Sequence, residues 1–250
     1  MKQRIKILLK PVLESLSQIE CFVSRKWVSS AHKRLKLIQW SIPPQPEHFD
    51  HHIDLYYQWL AKGTYYWLER GVFGALCLKG GRTLDLACGD GFNSRNFYHA
   101  GSREIIACDF DPSAIQDAQR KNSSPKITFM LKDIRTDFPD GTFDNVFWDA
   151  AIEHFTAAEI TSLIPRVKSS LNPGGILSGF TIVKKADNGK SLSHHEYEFE
   201  DKEDLMRFLT PCFKNVKVFE LPYPEAHCLY FWASDGPVPF SPEWSKGISS

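Results

Sequence analysis

Through the middle of the chain, short apolar and β-branched runs alternate with segments whose apolar residues recur every three or four positions. Strands are expected near 82–87, 104–109, 126–132, 143–148 and 175–184, with helices near 93–100, 112–121 and 157–171 between them. Such alternation builds βαβ units around a parallel sheet, the doubly wound α/β arrangement. A further helix near 201–210 and two late strands near 216–220 and 228–233 complete the pattern.

Local punctuation supports these boundaries. Asp111 before Pro112 supplies an N-cap with proline at the first helical position, and Gly101 can close the preceding helix in the left-handed conformation. Asp140-Gly141 and Pro173-Gly174-Gly175 each mark a turn before a strand.

The first 46 residues follow a different rhythm. Leu9, Leu13, Leu16, Val23, Trp27, Ala31, Leu35 and Ile38 fall mainly at steps of three or four, which marks one face of an amphipathic helix or helix pair that ends at Pro43-Pro44-Gln45-Pro46. Residues 47–80 are aromatic-rich and read as a helical lid. The main domain is expected over 81–235 and a tail over 236–250.

Composition changes this picture in one respect. The 250 residues carry 30 basic and 30 acidic side chains, so the net charge is zero, which argues against a general nucleic-acid binder. Yet residues 1–40 hold nine Lys/Arg against only Glu14 and Glu20, a +7 arm on a −7 body. An amphipathic basic arm with Trp27 and Trp40 suits peripheral contact with an anionic membrane, with a helix packed on its own domain or a dimer contact as the other readings. Six cysteines without a C-x-x-C pair give neither a disulfide framework nor a zinc motif, and no run spans a bilayer, so a cytoplasmic protein is expected.

The chemistry concentrates where the first strand ends. Leu84-Asp85-Leu-Ala-Cys88-Gly89-Asp90-Gly91 runs into a helix, and its glycines let the backbone turn sharply beside a nucleotide-like ligand. The next strand ends in Asp109, 20 residues after Gly89, where a carboxylate can accept from both ribose hydroxyls. A dinucleotide fingerprint would want a third glycine where Ser94 stands, and Asp85 would repel a pyrophosphate while attracting an ammonium or sulfonium. A cationic, phosphate-free adenosine ligand fits best.

Taken in order, these residues resemble a known family. The glycine loop at 84–91, Asp109-Phe110-Asp111-Pro112, Lys132-Asp133-Ile134, Phe143-Asp144-Asn145-Val146, Ile152-Glu153-His154 and Leu171-Asn172-Pro173-Gly174-Gly175 are similar to the successive motifs of class I S-adenosylmethionine-dependent methyltransferases. The resemblance covers roughly 80–235 and implies a Rossmann-like sheet of seven strands with the last antiparallel. It assigns Asp85, Cys88, Gly89 and Gly91 to the methionine part of S-adenosyl-L-methionine, Asp109 to the ribose and Phe110 to the adenine face. Asp133 and Ile134 would meet the adenine amino group, and Asp149 would lie near the sulfonium. Cys88 departs from the glycine commonest at its position and tightens the fit.

The expected reaction is methyl transfer to an oxygen or nitrogen of a small molecule, with a sugar, glycan or lipid-linked acceptor compatible and none selected. Base candidates are His154, otherwise a brace with Glu153 for the following helix, and His194 and His195 in a polar loop after the fifth strand. Tyr56, Tyr57 and Trp59 are candidates for shielding the sulfonium or stacking on substrate. His51, His52 and Asp54 lack a suitably spaced third ligand, so no dedicated metal site is expected. The alternatives are an NAD(P)-dependent oxidoreductase, disfavoured by Ser94 and Asp85, and a methyltransferase fold kept as a non-catalytic binding subunit.

Overall fold

A computed structural model of the chain describes residues 2–42, 51, 58, 64–185, 190–224 and 226–246. Two compact units divide it, the first containing α1 (Lys2–Ser41) and the second holding every element from Tyr66 onward. The basic N-terminal segment is one continuous helix of 40 residues that runs through Pro11 rather than a helix pair. Ile7, Leu8, Val12, Leu13, Leu16 and Trp27 are exposed along it. No helix among the described residues is long and apolar enough to cross a membrane.

The second unit is built on seven strands: β1 (Arg82–Leu86), β2 (Glu104–Asp109), β3 (Ile127–Leu131), β4 (Phe143–Asp149), β5 (Leu171–Ile182), β6 (Asn215–Pro222) and β7 (His227–Ser234). Their order is β3-β2-β1-β4-β5-β7-β6. All neighbours pair in parallel except β7, which runs antiparallel to both β5 and β6. The chain therefore reverses its winding between β1 and β4, and the crevice outside the carboxyl ends of those strands is where ligands bind in sheets of this kind.

Among the described residues, five α-helices accompany the sheet in this unit: α2 (Tyr66–Ala75), α3 (Pro112–Lys121), α4 (Ala157–Ser170), α5 (Lys202–Leu209) and α6 (Pro242–Lys246). Caps fix where the longer ones start. The Asp111 carboxylate accepts from Ser113 N–H with Pro112 at the first helical position, Thr156 and Glu159 form a reciprocal capping box, and Asp201 accepts from Asp204 N–H. Apolar residues of α4 and α5 join the core on one face of the sheet, where Trp148, Leu177 and Phe231 are fully buried or nearly so. The other face holds Phe147, Tyr230 and Trp232.

Three boundaries differ from the periodicity. In place of an α-helix over 93–100 stands a π-helical turn, Ser94–Tyr98. Its wider backbone accompanies two fixed side chains, Tyr98 stacked on Phe147 at 3.7 Å between ring centroids and Ser94 bonded to Asp85. The turn at Pro173-Gly174-Gly175 is absorbed into β5 as an irregularity: Phe143 pairs with Leu171 but Asn145 with Ile176, and Gly174 sits at φ +70°.

The third difference concerns the expected lid. Its 66–75 portion is α2, which packs on the sheet: Phe73 meets the rings of Tyr230 and Trp232, and a Cβ at Gly74 would fall 2.9 Å from Tyr98. Tyr56, Tyr57 and Trp59 lie outside the described residues, as do His52 and Asp54.

Candidate functional site

The glycine loop leaves β1 through three consecutive demands on the backbone. Ala87 at φ 53°, Gly89 at φ 54° and Gly91 at φ 71° all take left-handed conformations. For alanine that conformation costs about 1–2 kcal/mol, a strain that persists only where surrounding structure enforces it. At Gly91 space is also closed, since an added Cβ would fall 2.5 Å from the Phe129 ring.

Asp109 holds this loop to the end of β2. Its Oδ2 accepts from Gly89 N–H at 2.9 Å and its Oδ1 from Asp111 N–H at 2.9 Å, so the carboxylate is fixed beside the loop with little exposure. Cys88 donates its own N–H to the Cys108 carbonyl, which ties the loop to β2 a second time. Burial, followed by the nearby Asp85 carboxyl, pushes the Cys88 thiol well above its ordinary range, so it stays protonated and behaves as a small apolar filler.

Asp85 is almost fully buried within β1. Burial raises its pKa to about 7, against the Ser94 hydroxyl, which donates to Oδ2 at 2.6 Å and favours the charged form. Asp149 and Asp109 raise it further, and Arg70 draws it down. Asp149 itself is held at the end of β4 by Arg70, whose Nη2 lies 2.5 Å from Oδ2, and by Asn93 Nδ2 at 2.7 Å. Desolvation opposes the Arg70 charge, but the Asp149 carboxylate outweighs it and lifts the guanidinium pKa. Neither Arg70 nor Asn93 carries a motif that would mark it; Ser94, visible only as a missing glycine, has a partner of its own.

A cavity of about 360 Å³ opens at the carboxyl ends of β1 to β4. Its lining includes Asp109, Phe110, Asp133 and Ile134 together with His154, Thr156 and His194. Asp133 is gripped by Arg135 through its backbone N–H, Nε and Nη2, at 2.8 to 3.1 Å, and those contacts hold its carboxyl below the usual range. Half-exposed Phe110 lies under the Arg135 guanidinium, 6.0 Å from its ring centroid.

The three histidines come together. His154 stacks on His194 with ring centroids 4.9 Å apart and meets His195 edge-on at the same separation. They divide by position, however: His154 and His194 line the cavity, whereas His195 is only 2% exposed behind them. Burial holds the His195 pKa below its ordinary value despite Glu153 and Glu198, and its Nδ1 lies 2.5 Å from Glu198 Oε1. A neutral ring donating Nδ1–H to that carboxylate satisfies both facts. Glu153, also buried, is raised by desolvation and accepts from Thr181 Oγ1 at 3.0 Å.

The donor set suits a cationic adenosine ligand. Asp85, Asp109 and Asp149 gather negative charge around a glycine loop whose buried acid Asp85 is driven toward protonation, and a positive ligand relieves that repulsion where a pyrophosphate would add to it.

Comparisons with known proteins agree. Residues 83–175 match a family model described as a methyltransferase domain. Ribosomal protein L11 methyltransferase of Symbiobacterium thermophilum is 31% identical over 124 residues, which are 48% of this chain and 37% of that protein. Trans-aconitate 2-methyltransferase of Methylobacterium nodulans is 32% identical over 115 residues, 45% of this chain and 41% of that protein. The chain thus spans about two fifths of the length of these curated relatives. Among solved structures, the DhpI complex with SAH superposes with a TM-score of 0.56 at 20% identity, covering 74% of this chain and 91% of that one. The N-methyltransferase NodS from Bradyrhizobium japonicum WM9 gives 0.55 at 16% identity, covering 65% and 89%. Strand order, glycine loop and family match together make residues 83–175 a class I S-adenosylmethionine-dependent methyltransferase domain.

Proposed function

We propose that this protein transfers the methyl group of S-adenosylmethionine to an oxygen or nitrogen of a small acceptor. The observation that carries the reading is that one cavity is lined both by Asp109, Phe110 and Asp133 and by the imidazoles of His154 and His194. When bound, S-adenosylmethionine supplies an activated methyl group on a cationic sulfur.

In this reading Asp109 binds the ribose, Phe110 covers the adenine face and Asp133 with Ile134 borders its amino edge. Asp85 and the loop at Cys88, Gly89 and Gly91 seat the methionine part. Asp149, oriented by Arg70 and Asn93, lies on the sulfonium side and favours positive charge there. His154 or His194 takes the proton from an acceptor hydroxyl as its oxygen attacks in line with the methyl–sulfur bond, and His195 stands behind them as a support. Most of the acceleration then comes from alignment and exclusion of water, with the base adding about 10²–10⁴-fold.

A sugar, a glycan or a lipid-linked molecule suits the polar loop at 190–196. The relatives are named for a ribosomal protein and for trans-aconitate, and their partial overlap with this chain carries neither acceptor over. Peripheral contact of residues 1–40 with an anionic membrane is supported by their charge of +7 and by the exposed apolar side chains of α1.

Calorimetry with S-adenosylmethionine on wild type and Asp109→Ala tests the cofactor assignment. Binding to wild type and its loss in the variant is the expected result. Equal affinity in both, or stabilisation by a nicotinamide dinucleotide instead, overturns it.

A further inference from the structure

The histidine cluster contains a second constellation, which shares His154 with the proposed methyl-transfer site and, when occupied, leaves His194 as the base. One ligand atom each from Glu153, His154 and His195 lies within 4.8 Å of the other two. From these positions we infer that Glu153, His154 and His195 hold one first-row divalent cation.

The set is two imidazoles and one carboxylate, a combination that binds zinc, iron(II), cobalt or manganese with coordination positions left open. Ligand atoms at about 2.1 Å on a tetrahedral cation stand roughly 3.4 Å apart, so closure needs a contraction of no more than about 1.4 Å. His154, the most exposed of the three, is the side chain that would have to turn to supply it.

Two separate chain segments are pinned together to make the set. The short helical turn Ile152–His154 follows β4, and the loop carrying His195 follows β5. The Glu153 carbonyl accepts from both Glu196 N–H and Tyr197 N–H, at 2.9 and 3.1 Å, which fixes His195 against Glu153.

Each buried ligand also has an outer partner that orients it. His195 Nδ1 faces Glu198 Oε1 at 2.5 Å, leaving Nε2 as the ligand atom, and that same oxygen is held by Ser191 N–H at 2.6 Å. A carboxylate behind a ligating histidine is the usual device for setting its tautomer and raising its basicity. Glu153 Oε2 accepts from Thr181 Oγ1 at 3.0 Å, which orients the carboxylate. With Glu153 and His195 only 3% and 2% exposed, these are polar groups whose desolvation a cation would offset.

His154 connects the set to the cavity, since it alone of the three lines it. A cation there lowers the pKa of a hydroxyl bound to it, which would give an oxygen acceptor its activation. That consequence rests on the methyl-transfer reading; cation binding does not.

The test is calorimetric titration of the chelator-stripped full chain with Mn²⁺ and with Zn²⁺ in the absence of any methyl donor. Wild type is expected to bind one equivalent of at least one of them. His154→Ala, His195→Asn and Glu153→Gln should each weaken that binding by about tenfold or more, since even outer partners of ligands are worth 10–100-fold. Circular dichroism establishes that each variant is folded, and half-buried His154 makes its variant the decisive one. A wild type that takes up neither cation, or a folded His154→Ala variant with unchanged affinity, overturns the inference. Failure of cofactor binding with intact cation binding would instead count against the methyltransferase reading alone.

Discussion

The Ser94 hydroxyl donates to Asp85 Oδ2 at 2.6 Å inside the protein, between the π-helical turn and the first strand. The bond favours the ionised carboxylate while burial, the larger effect, favours the acid, leaving the Asp85 pKa at about 7. A cationic ligand prefers the ionised form, so binding releases a proton below that pH. Affinity for S-adenosylmethionine is therefore expected to rise as pH increases through about 7 and then level. Ser94→Ala removes a bond that lowers the pKa and should move this rise to higher pH, as calorimetry across pH 6 to 9 would read. A profile that is flat in wild type contradicts the assignment.

The same group makes the unliganded protein sensitive to pH in the opposite sense. In the unfolded chain Asp85 titrates near its ordinary value of 3.8, so between there and about 7 the folded state binds the extra proton. Stability attributable to Asp85 is then full at pH below 3.8 and lost as pH rises toward 7, by up to about 4 kcal/mol. Asp85→Asn abolishes this slope. The difference in melting temperature, variant minus wild type, should grow from pH 5 to pH 8 and stay constant above.

Breaking the Arg70–Asp149 pair should cost far more than its absence from any motif suggests. Both side chains are 6% exposed, and Arg70→Ala leaves the Asp149 carboxylate buried with its charge unpaired by the guanidinium, while the Asn93 amide still donates to it. Loss of about 3–5 kcal/mol is expected from chemical denaturation, whereas Arg70→Met with Asp149→Leu together should lose less than the single change. If the single variant is as stable as wild type, Arg70 has no structural hold on the site.

Much of the scaffold was legible because its cues are local. Asp111-Pro112 starts a helix where it stands, and β1, β2 and β4 end within a residue or so of their apolar runs. What the sequence hides is long-range. Arg70 lies 79 residues from Asp149, and Glu153 meets Thr181 and the His195 loop only because β4 and β5 are neighbours in the sheet. No spacing rule links Glu153-His154 to His195, so the histidines stand in the sequence as base candidates and Glu153 as a brace, and their closeness to one another does not show. Phe97 and Tyr98 satisfy helical periodicity while packing a wider backbone, so the π-turn leaves no mark in the pattern.

Gly91→Ala should disable the loop in two ways that can be separated. Its φ of 71° strains any side chain, and the new Cβ would meet the Phe129 ring at 2.5 Å. Shrinking that ring with Phe129→Leu relieves the contact but not the backbone, so the double variant should recover only part of the stability lost, leaving about 1–2 kcal/mol. Full recovery in urea denaturation would show that space alone requires the glycine.

Helix α1 combines a +7 segment with exposed Leu13, Leu16 and Trp27, which supports two additive contributions to membrane binding. Each Lys or Arg near an anionic surface contributes about 1 kcal/mol, and screening shortens that reach to about 8 Å at physiological salt. The apolar side chains contribute by burial and are insensitive to salt. The 250-residue chain should therefore co-sediment with phosphatidylserine-containing vesicles at low salt, with binding that weakens as salt rises, while neutral vesicles retain little. Leu13→Ser with Leu16→Ser, one helical turn apart, should lower binding without changing its salt slope. No sedimentation at low salt would leave α1 without a membrane role, and binding that ignores lipid charge would remove the electrostatic half of the account.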